Sequence, residues 1–309
     1  MSREVTVRAP GKVNLQLSVG PRGDDGFHPL ATVFQAVDLF EVVTARVRAD
    51  ESITVAVESS PHVALDVSAV PLDHTNLAWR AARAVADAFG ITDGVDLRIL
   101  KGVPVAGGMA GGSADAAAAI VACAEVWDVG ASRAELIHIA ASLGADVPFV
   151  LQGHTAVGLG RGDQLSPAMT HGSFHWVFAT QAHGLSTAEV YAAFDGQVAS
   201  GEREAVDPAI SDEVMHALIT GDPHALGSAL TNDLQDAALE LAPHLRDTIE
   251  AALEAEATGA IVSGSGPTIA ALARSRQHAL AIAAHLRATG TADIAVCASG
   301  PASGATVLA

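Results

Sequence analysis

The segment "PVAGGMAGGSADAAAA", residues 104–119, places four glycines within six positions and then becomes rich in alanine. Glycine loses more backbone entropy on folding than any other residue, so this density indicates a need for bare backbone. The segment follows an alternating stretch, 95–100, that predicts a strand, and it precedes a predicted helix, 113–126. A glycine-rich approach to a helix start directs several unpaired N–H groups and the positive end of the helix dipole at one point. We therefore predict a site for an anion, most often phosphate, with Ser113 as the helix N-cap and Asp115 in the first turn.

A tight turn that lets a helix pack closely on a sheet is the structural alternative for this segment, but such a turn needs fewer glycines. The segment does not have the Walker A pattern G-x-x-x-x-G-K-[ST], nor the G-x-G-x-x-G pattern of a dinucleotide fold. The phosphate site it predicts therefore belongs to neither of those two classes.

Composition limits the class of protein and of partner. The chain has 309 residues, 50% hydrophobic and 17% charged, which is typical of a globular protein with room for two domains. Its formal net charge of −18 argues against a nucleic-acid partner but allows a small anionic ligand, because local dipoles and a few cations set the field in a cleft. The chain start has no apolar signal-peptide core, and the apolar run 116–124 is well short of a membrane span. We predict a cytoplasmic protein with no nucleic-acid or membrane partner.

Cysteine and lysine are both rare in this chain. Cys123 and Cys297 lie far apart, and we expect two buried free thiols in a reducing compartment. Of the 17 basic residues, only Lys12 and Lys101 are lysines. Each could mark a place where a compact ammonium group is needed in preference to a guanidinium, with chance retention as the alternative.

Strand and helix patterns interleave irregularly, which predicts an α+β fold with two domains. Residues 3–8 and 13–19 are predicted as strands around a PGK turn, and the other predicted strands are 31–47, 53–57, 95–100, 176–179, 259–263 and 293–297. The predicted helices are 75–89, 113–126, 133–143, 187–194, 211–220, 244–257 and 275–289. We expect 196–208 to be an exposed loop and the tail, 298–309, to be loosely ordered.

Three stretches, in order, resemble the signatures of the GHMP kinase superfamily. "APGKVNLQL" (9–17) resembles the first signature, residues 104–118 resemble the second, and "VSGSGPTIAAL" (262–272) resembles the third. Met109 stands where the second signature usually has leucine, an exchange that conserves volume. The resemblance spans essentially the whole chain. It implies a two-domain GHMP kinase fold, with an N-terminal ATP-binding domain over 1–163, a C-terminal domain over 164–309 and the active site in the cleft between them.

Further stretches narrow the resemblance to one family of that superfamily. "DGFHPL" (25–30) and "LGADVPF" (143–149) are similar to segments of the 4-diphosphocytidyl-2-C-methyl-D-erythritol kinases of non-mevalonate isoprenoid biosynthesis, and "GRGD" (160–163) and "GLSTAEVY" (184–191) agree with them. This resemblance implies ATP-dependent phosphorylation of the 2-hydroxyl of 4-diphosphocytidyl-2-C-methyl-D-erythritol. A homoserine or mevalonate kinase is an alternative that "DGFH" disfavours. A catalytically silent nucleotide-binding protein on the same fold is another, which the presence of Lys12 and Asp146 disfavours.

The resemblance also implies which residues carry the chemistry. Asp146 is the expected catalytic base, although its sequence context alone favours a turn. Lys12 is expected beside it, where its charge would keep the carboxylate ionised and polarise the hydroxyl or the phosphoryl group. Asn14 follows Lys12 at strand spacing and is expected to hydrogen-bond the substrate or Asp146.

Recognition of the cytidine diphosphate-linked methylerythritol is expected from Phe27, which would stack on cytosine, and His28, which would hydrogen-bond it. An ordinary core phenylalanine and a surface histidine are the alternatives at these two positions. Tyr191, the only tyrosine, is the candidate for the second face of the base, with a role in packing its helix as the alternative, and Thr187 is a further substrate contact.

ATP is expected to bind with its phosphates wrapped by the second signature. The residues concerned are Pro104, Val105, Ala106, Gly107, Gly108, Met109, Ala110, Gly111, Gly112, Ser113 and Ala114. Magnesium is expected with ATP, held by phosphate oxygens and water, with no dedicated protein metal site. Lys101 could reach the nucleotide, but a solvated lysine at a strand end is the simpler expectation. We expect a monomer or a weak homodimer.

Overall fold

A computed structural model of the chain describes residues 3–61, 63, 65–105, 107–181, 184–204 and 206–308. The elements of the first half are, in chain order, β1 (Glu4–Val19), β2 (Leu30–Val47), β3 (Ile53–Ser59), α1 (Leu77–Phe89), β4 (Val95–Lys101), α2 (Gly111–Val126), α3 (Arg133–Leu143), α4 (Asp146–Gln152), β5 (Thr155–Gly160) and β6 (Gln164–Pro167).

The second half continues with the elements β7 (Phe174–Thr180), α5 (Thr187–Ser200), α6 (Asp212–Thr220), α7 (Pro223–Ala229), β8 (Thr231–Asn232), α8 (Gln235–Leu241), α9 (Leu245–Glu254), β9 (Gly259–Val262), β10 (Ile269–Ala273), α10 (Arg276–Thr289), β11 (Ile294–Gly300) and β12 (Thr306–Leu308). Within the described residues, no helix combines the length and the apolar character that crossing a membrane requires.

Two sheets organise these elements, as expected for an α+β fold. The first has the strand order β12-β1-β2-β4-β3, with β5 paired to β2, β6 paired to β5 and β8 paired to β1. The second has the order β11-β7-β10-β9. Strands from late in the chain, β8 and β12, thus return to the first sheet. The division into domains at residues 163 and 164 stays a prediction.

Helix α2 lies on the first sheet, and its sequence explains how it fits there. Its run of alanines is buried on nearly every side, against β1, β2, α1 and α4. Small side chains let the helix backbone approach the sheet closely, so the helix start is held in a fixed place. A separate apolar cluster lies between the two sheets and includes Val13 of β1, Met109 of the glycine-rich segment and Phe178 of β7. Trp176 Nε1 donates a hydrogen bond to Gln35 Oε1 at 3.1 Å, linking the second sheet to the first.

Most predicted helices and strands are present, and the helix ends follow local capping signals. Helix α1 ends at Phe89 as predicted, with Gly90 after it in a left-handed backbone, but it begins two residues later than predicted, after Asn76, whose side chain accepts a hydrogen bond from the Ala78 N–H. Cys123 and Cys297 are both free, and Cys123 is fully buried, which raises the pKa of its thiol.

Three predictions about turns and loops are wrong. The PGK sequence is not a turn, because β1 continues through it with a register shift between Pro10 and Gly11 that bends the strand without ending it. The stretch 196–200 belongs to helix α5, which runs on to Ser200. The chain end is not loosely ordered, because β12 pairs antiparallel with β1 at Thr6, Val7 and Arg8.

Candidate active site

The glycine-rich segment forms the start of helix α2. The helix begins at Gly111, and its N-cap, Ala110, has a left-handed backbone with φ 60° and offers no side-chain acceptor to the first-turn N–H groups. The prediction of Ser113 as N-cap is therefore wrong, since the turn at Ala110 already starts the helix at Gly111. Helix-start N–H groups without a side-chain cap, together with the helix dipole, suit a bound anion.

The other predicted phosphate-binding residues follow the same path from β4 into α2. Gly112 is exposed, Ser113 is half-buried, and Pro104, Gly107 and Ala114 are buried. Val105 is half-buried, whereas Ala106 lies outside the described residues. The open face of the segment is therefore the one formed by its last glycines and the helix start.

The three signature stretches meet in space at this segment. Met109 is fully buried, and its carbonyl accepts a hydrogen bond from the Lys12 N–H at 3.1 Å. Ser263 Oγ donates to the Gly108 carbonyl at 3.2 Å. Gly108 has φ +71°, and a Cβ there would lie 2.0 Å from the Ser263 carbonyl oxygen. Only glycine allows the segment to approach the third signature this closely.

Lys12 and Asp146 face each other beside the segment. Lys12 Nζ, from β1, lies 4.0 Å from Oδ2 of Asp146, the first residue of α4. The Lys12 side chain is 6% exposed and that of Asp146 is 35% exposed. Burial lowers the pKa of Lys12, and the Asp146 charge opposes that shift. Lys12 and Asp146, expected to lie side by side, are thus brought together by the fold.

A chain of hydrogen bonds orients the Lys12 ammonium group. Lys12 Nζ donates to Asn14 Oδ1 at 2.6 Å, and Asn14 Nδ2 donates to Thr32 Oγ1 at 2.8 Å. Thr32 Oγ1 donates in turn to the Gln16 carbonyl at 2.6 Å. Asn14 therefore contacts Lys12 and not Asp146. Gly264 covers the ammonium from the third signature, where a Cβ would lie 3.2 Å from Lys12 Nζ.

Phe27 lies at the opposite end of this region, in an accessible position. Phe27 is 48% exposed, and the guanidinium carbon of Arg161 lies 3.5 Å from the centroid of the Phe27 ring. An exposed aromatic ring already in contact with a cation is suited to stacking against a planar group. This exposure contradicts the alternative of an ordinary core phenylalanine.

His28 is buried beside Phe27 and has a fixed partner. Its Nε2 lies 2.8 Å from Asp195 Oδ1, and its ring centroid lies 5.1 Å from that of Tyr191. Phe194 packs edge-on against the same ring at 5.9 Å. The alternative of a surface histidine is therefore wrong, and the contact with Asp195 leaves Nδ1 as the ring nitrogen for another partner.

Two adjoining cavities connect these groups. One, of about 280 Å³, is lined by Lys12, Asn14, Asp146, Gly108 and Gly264, among others. The second, of about 650 Å³, is lined by Phe27, His28, Arg22 and Asp195, among others. Both share the lining residues Leu30, Arg161, Thr187 and Tyr191.

Tyr191 and Thr187 thus stand between the two ends of the site. Burial, with a contribution from the Asp146 charge, raises the pKa of Tyr191 to about 12, so its hydroxyl stays protonated. Thr187 Oγ1 lies 2.9 Å from Ser265 Oγ of the third signature.

Lys101 is not a solvated lysine, contrary to the simpler expectation. It is 2% exposed, and its Nζ lies 2.7 Å from Glu41 Oε1 and 2.6 Å from Asp115 Oδ2. Asp115 lies beyond the first turn of α2, where its carboxylate is committed to Lys101. The expectation failed because the two partners lie on other elements, β2 and α2, and reach Lys101 only when these elements pack together.

Several residues of the site were not predicted, and some carried a signal. Asp195 follows Tyr191 by one helical turn, so the two share a helix face. Arg161 lies inside "GRGD", a stretch that agrees with the family and carries an arginine between two glycines. Glu41 interrupts the apolar run of β2 with a charge, which suggests a buried partner. Thr32 carried no signal.

Comparison with known proteins gives matches over the whole chain. The family model of the GHMP kinases N terminal domain matches residues 76–154, and that of the GHMP kinases C terminal matches residues 214–292. A 4-diphosphocytidyl-2-C-methyl-D-erythritol kinase of Thermobifida fusca is 52% identical over 305 residues, which cover 98% of this chain and 98% of the relative. An enzyme of the same name from Streptomyces avermitilis is 52% identical over 304 residues, covering 98% of this chain and 99% of the relative.

Solved structures give the same picture. A crystal structure of 4-(cytidine 5'-diphospho)-2C-methyl-D-erythritol kinase superposes with a TM-score of 0.75 at 28% identity, covering 95% of this chain and 98% of that chain. The mevalonate kinase of L. major gives a TM-score of 0.73 at 16% identity, covering 98% of this chain and 97% of that chain. The second similarity concerns the fold alone.

Proposed function

Because the chain belongs to the GHMP kinases and, among them, to the family of 4-diphosphocytidyl-2-C-methyl-D-erythritol kinases, we propose that it phosphorylates the 2-hydroxyl of 4-diphosphocytidyl-2-C-methyl-D-erythritol. The products are the 2-phosphate and ADP. The enzyme is an ATP-dependent small-molecule kinase. A homoserine or mevalonate kinase is not favoured, because relatives at about 50% identity over nearly the full length carry the cytidine-substrate name.

One observation carries the proposal for the acceptor: two cavities that share a wall have a phosphoryl-transfer pair at one end and an aromatic pair at the other. Lys12 and Asp146 line the first cavity, and Phe27 and His28 line the second. A substrate with a hydroxyl-bearing chain on one side and a pyrimidine on the other suits this arrangement. We propose that Phe27 stacks on cytosine, that His28 hydrogen-bonds it, and that Tyr191 and Thr187 line the passage between the ends.

Arg161 is suited to the middle of such a substrate. It contacts the Phe27 ring and lines both cavities. No ion pair of Arg161 with a carboxylate is found within the described part of the chain. We propose that its guanidinium faces the diphosphate that joins cytidine to the methylerythritol, where it would offset the two phosphate charges.

The proposed transfer step uses Asp146 and Lys12. Asp146 accepts the proton of the 2-hydroxyl while that oxygen forms a bond to the γ-phosphorus of ATP. The bond between the γ-phosphorus and its bridging oxygen breaks, and ADP leaves with that electron pair. Lys12 stabilises the charge that develops on the transferred phosphoryl group, and Asn14 orients the Lys12 ammonium group.

ATP is proposed to bind with its phosphates at the start of α2, against Gly111, Gly112 and Ser113, where the helix has no side-chain cap. We further propose that Mg²⁺ accompanies ATP and neutralises part of the phosphate charge. The described residues include no group of three or more His, Cys, Asp or Glu able to hold a metal ion. Phosphate oxygens, water and the Ser113 hydroxyl are therefore the proposed ligands.

The test is a coupled measurement of ADP release with ATP and each candidate alcohol in turn. We expect ADP release that depends on 4-diphosphocytidyl-2-C-methyl-D-erythritol and is at background with homoserine or mevalonate. ADP release with homoserine or mevalonate at a comparable kcat/KM would contradict the assigned acceptor. Binding of ATP with no turnover on any of the three would contradict the assignment of an active kinase.

A further inference from the structure

The cluster of Glu41, Lys101 and Asp115 is buried beneath the glycine-rich segment and takes no part in the transfer step. Three elements contribute to it: Glu41 from β2, Lys101 from the end of β4, and Asp115 from α2. The side chains of Lys101 and Asp115 are 3% exposed, and that of Glu41 is fully buried. A buried charge is costly unless it is paired, so the cluster needs a structural or functional reason.

The cluster joins the two ends of the segment. Lys101 ends the strand before it, and the Gly102 N–H donates to Glu41 Oε2 at 2.9 Å. Asp115 lies in the helix after it and accepts a hydrogen bond from Lys101 Nζ at 2.6 Å. The glycine-rich segment, which is the proposed phosphate segment, is therefore held at both ends by carboxylates that bind the Lys101 ammonium group.

The cluster also lies directly under the helix start. A Cβ at Gly111, the first residue of α2, would lie 3.0 Å from Glu41 Oε1 and 3.6 Å from Lys101 Nζ. Two carboxylates surround one ammonium, so the fully ionised cluster carries one net negative charge. A negative charge at this end of a helix competes with any anion for the helix-start N–H groups and dipole.

We propose that Glu41, Lys101 and Asp115 are positioning residues for ATP, which clamp the ends of the phosphate segment and weaken nucleotide binding when their one shared proton is lost. This inference rests on the proposed placement of the ATP phosphates at the start of α2. It does not depend on which alcohol the enzyme phosphorylates.

The pKa shifts in the cluster agree with one retained proton. Burial, together with the Asp115 charge, raises the pKa of Glu41 to about 8, and burial also raises the pKa of Asp115. Burial alone would lower the pKa of Lys101, but Asp115 and Glu41 together outweigh burial and raise it. The charged groups that shift these pKa values all belong to the cluster: Asp115 and Lys101 act on Glu41, Asp115 and Glu41 act on Lys101, and Lys101 acts on Asp115. Both carboxyl pKa values are thus raised, which agrees with one proton kept by the two carboxylates at neutral pH.

The test is calorimetric titration of the enzyme with ATP and Mg²⁺ at about pH 7 and about pH 9, on either side of the Glu41 transition. We expect the ATP affinity of the unmodified enzyme to fall on the order of tenfold when the pH is raised from about 7 to about 9. In Glu41→Gln, whose side chain is neutral at every pH, the ATP affinity should be the same at both pH values. Glu58→Gln, in the exposed pair with Arg98, is the matched control and should follow the unmodified enzyme.

Lys101→Met tests the clamp itself. We expect it to raise KM for ATP on the order of tenfold while KM for the alcohol stays within about twofold. Hydrogen exchange of the amides at 107–114 should quicken in this variant, and Glu41→Gln remains informative if Lys101→Met fails to fold. An affinity of Glu41→Gln that follows the unmodified enzyme at both pH values would overturn the inference, as would equal changes in both KM values in Lys101→Met.

A variant of the segment separates failure of this inference from failure of the phosphate placement. Gly108→Ala would place a Cβ 2.0 Å from the Ser263 carbonyl oxygen and must distort the segment. If Gly108→Ala weakens ATP binding and the cluster variants do not, only the role of the cluster is wrong. If Gly108→Ala also leaves ATP binding intact, the phosphates bind elsewhere, and both the placement of the phosphates at the start of α2 and the role of the cluster are wrong.

Discussion

Lys12 Nζ lies 4.0 Å from Asp146 Oδ2, and the two residues come from the first strand and from the start of a short helix more than a hundred positions later. The strand fixes the lysine, and Asn14 fixes the direction of its ammonium group. The aspartate remains accessible to the cavity. One member of the pair is thus held in a fixed direction, and the other, the proposed base, faces the cavity.

Replacement of the proposed base, Asp146, should lower the rate of phosphoryl transfer without weakening ATP binding. We expect Asp146→Asn to lower kcat by about 10² to 10⁴, the range typical of a lost general base. ATP affinity should stay within about twofold, because the carboxylate lies outside the phosphate segment. Stopped assays of ADP release and calorimetric ATP titration measure the two quantities. Asp87→Asn, on the exposed face of α1, serves as the control. Turnover of Asp146→Asn at the rate of the unmodified enzyme would contradict the assignment.

A methyl group at Gly264 should disturb Lys12 without touching either reacting group. The Cβ of Gly264→Ala would lie 3.2 Å from Lys12 Nζ, so the ammonium must move. We expect kcat to fall on the order of tenfold, because small misplacements of a stabilising charge weaken its effect on the transition state.

The control for backbone strain is Gly290→Ala. Gly290 has φ +70°, close to the +60° of Gly264, but nothing lies within 4 Å of its Cβ position. Gly290→Ala should lose on the order of 1 kcal/mol of the free energy of unfolding, since it forces alanine into the left-handed region. Gly264→Ala should lose at least as much, because its Cβ also crowds Lys12 and the Gly108 carbonyl. Equal kcat values in the two variants would show that the Lys12 contact has no catalytic consequence.

Loss of the Phe27 ring should raise KM for the cytidine substrate and leave KM for ATP nearly unchanged. We expect Phe27→Ala to raise KM for the cytidine substrate on the order of tenfold or more, because stacking of a base on an aromatic ring contributes about 1–3 kcal/mol. KM for ATP should change by less than about twofold. Phe40→Ala removes a comparable ring under an arginine, since Arg8 lies 4.6 Å from the Phe40 ring centroid, and is the control. A rise in both KM values would indicate a folding defect and not a lost stack.

The local motifs of this site could be predicted from the sequence, because each depends on residues close together in the chain. The glycine density at 107–112 indicates bare backbone at a helix start, and the capping residues around α1 define its ends. The environment of Lys101 could not be predicted in this way. Its partners, Glu41 and Asp115, approach it only when β2, β4 and α2 pack together.

The same limit explains the errors at the helix start and at the chain end. A serine before an alanine run is a reasonable N-cap, but Ala110 adopts a left-handed backbone that no local preference favours, and this moves the helix start. The last residues are glycine- and alanine-rich and carry little local preference, so they are ordered by distant partners: β12 pairs with β1, and the backbone of Ala302 bonds to Ala36 and His154. Sequence predicts capped helices better than it predicts strands whose partners are distant.

The buried cluster should also affect stability as a function of pH. The pKa of Glu41 is raised from 4.5 to about 8 in the folded protein, so the folded state binds more protons than the unfolded state between these values. The contribution of Glu41 to the free energy of unfolding is therefore fully present below 4.5 and is lost as the pH rises through about 8. Glu41→Gln should lessen this decline, measured by urea unfolding at intervals from about pH 5 to about pH 9. Identical pH profiles for the two proteins would contradict a retained proton on Glu41.

The most direct measurement is identification of the product by phosphorus NMR and mass spectrometry, after incubation of the enzyme with ATP, Mg²⁺ and 4-diphosphocytidyl-2-C-methyl-D-erythritol. We expect one new phosphomonoester, attached to the 2-hydroxyl, in equal amount to the ADP formed. The diphosphate linkage to cytidine should stay intact. A phosphate on any other hydroxyl, or ADP formation with no phosphorylated product, would contradict the function proposed for this site.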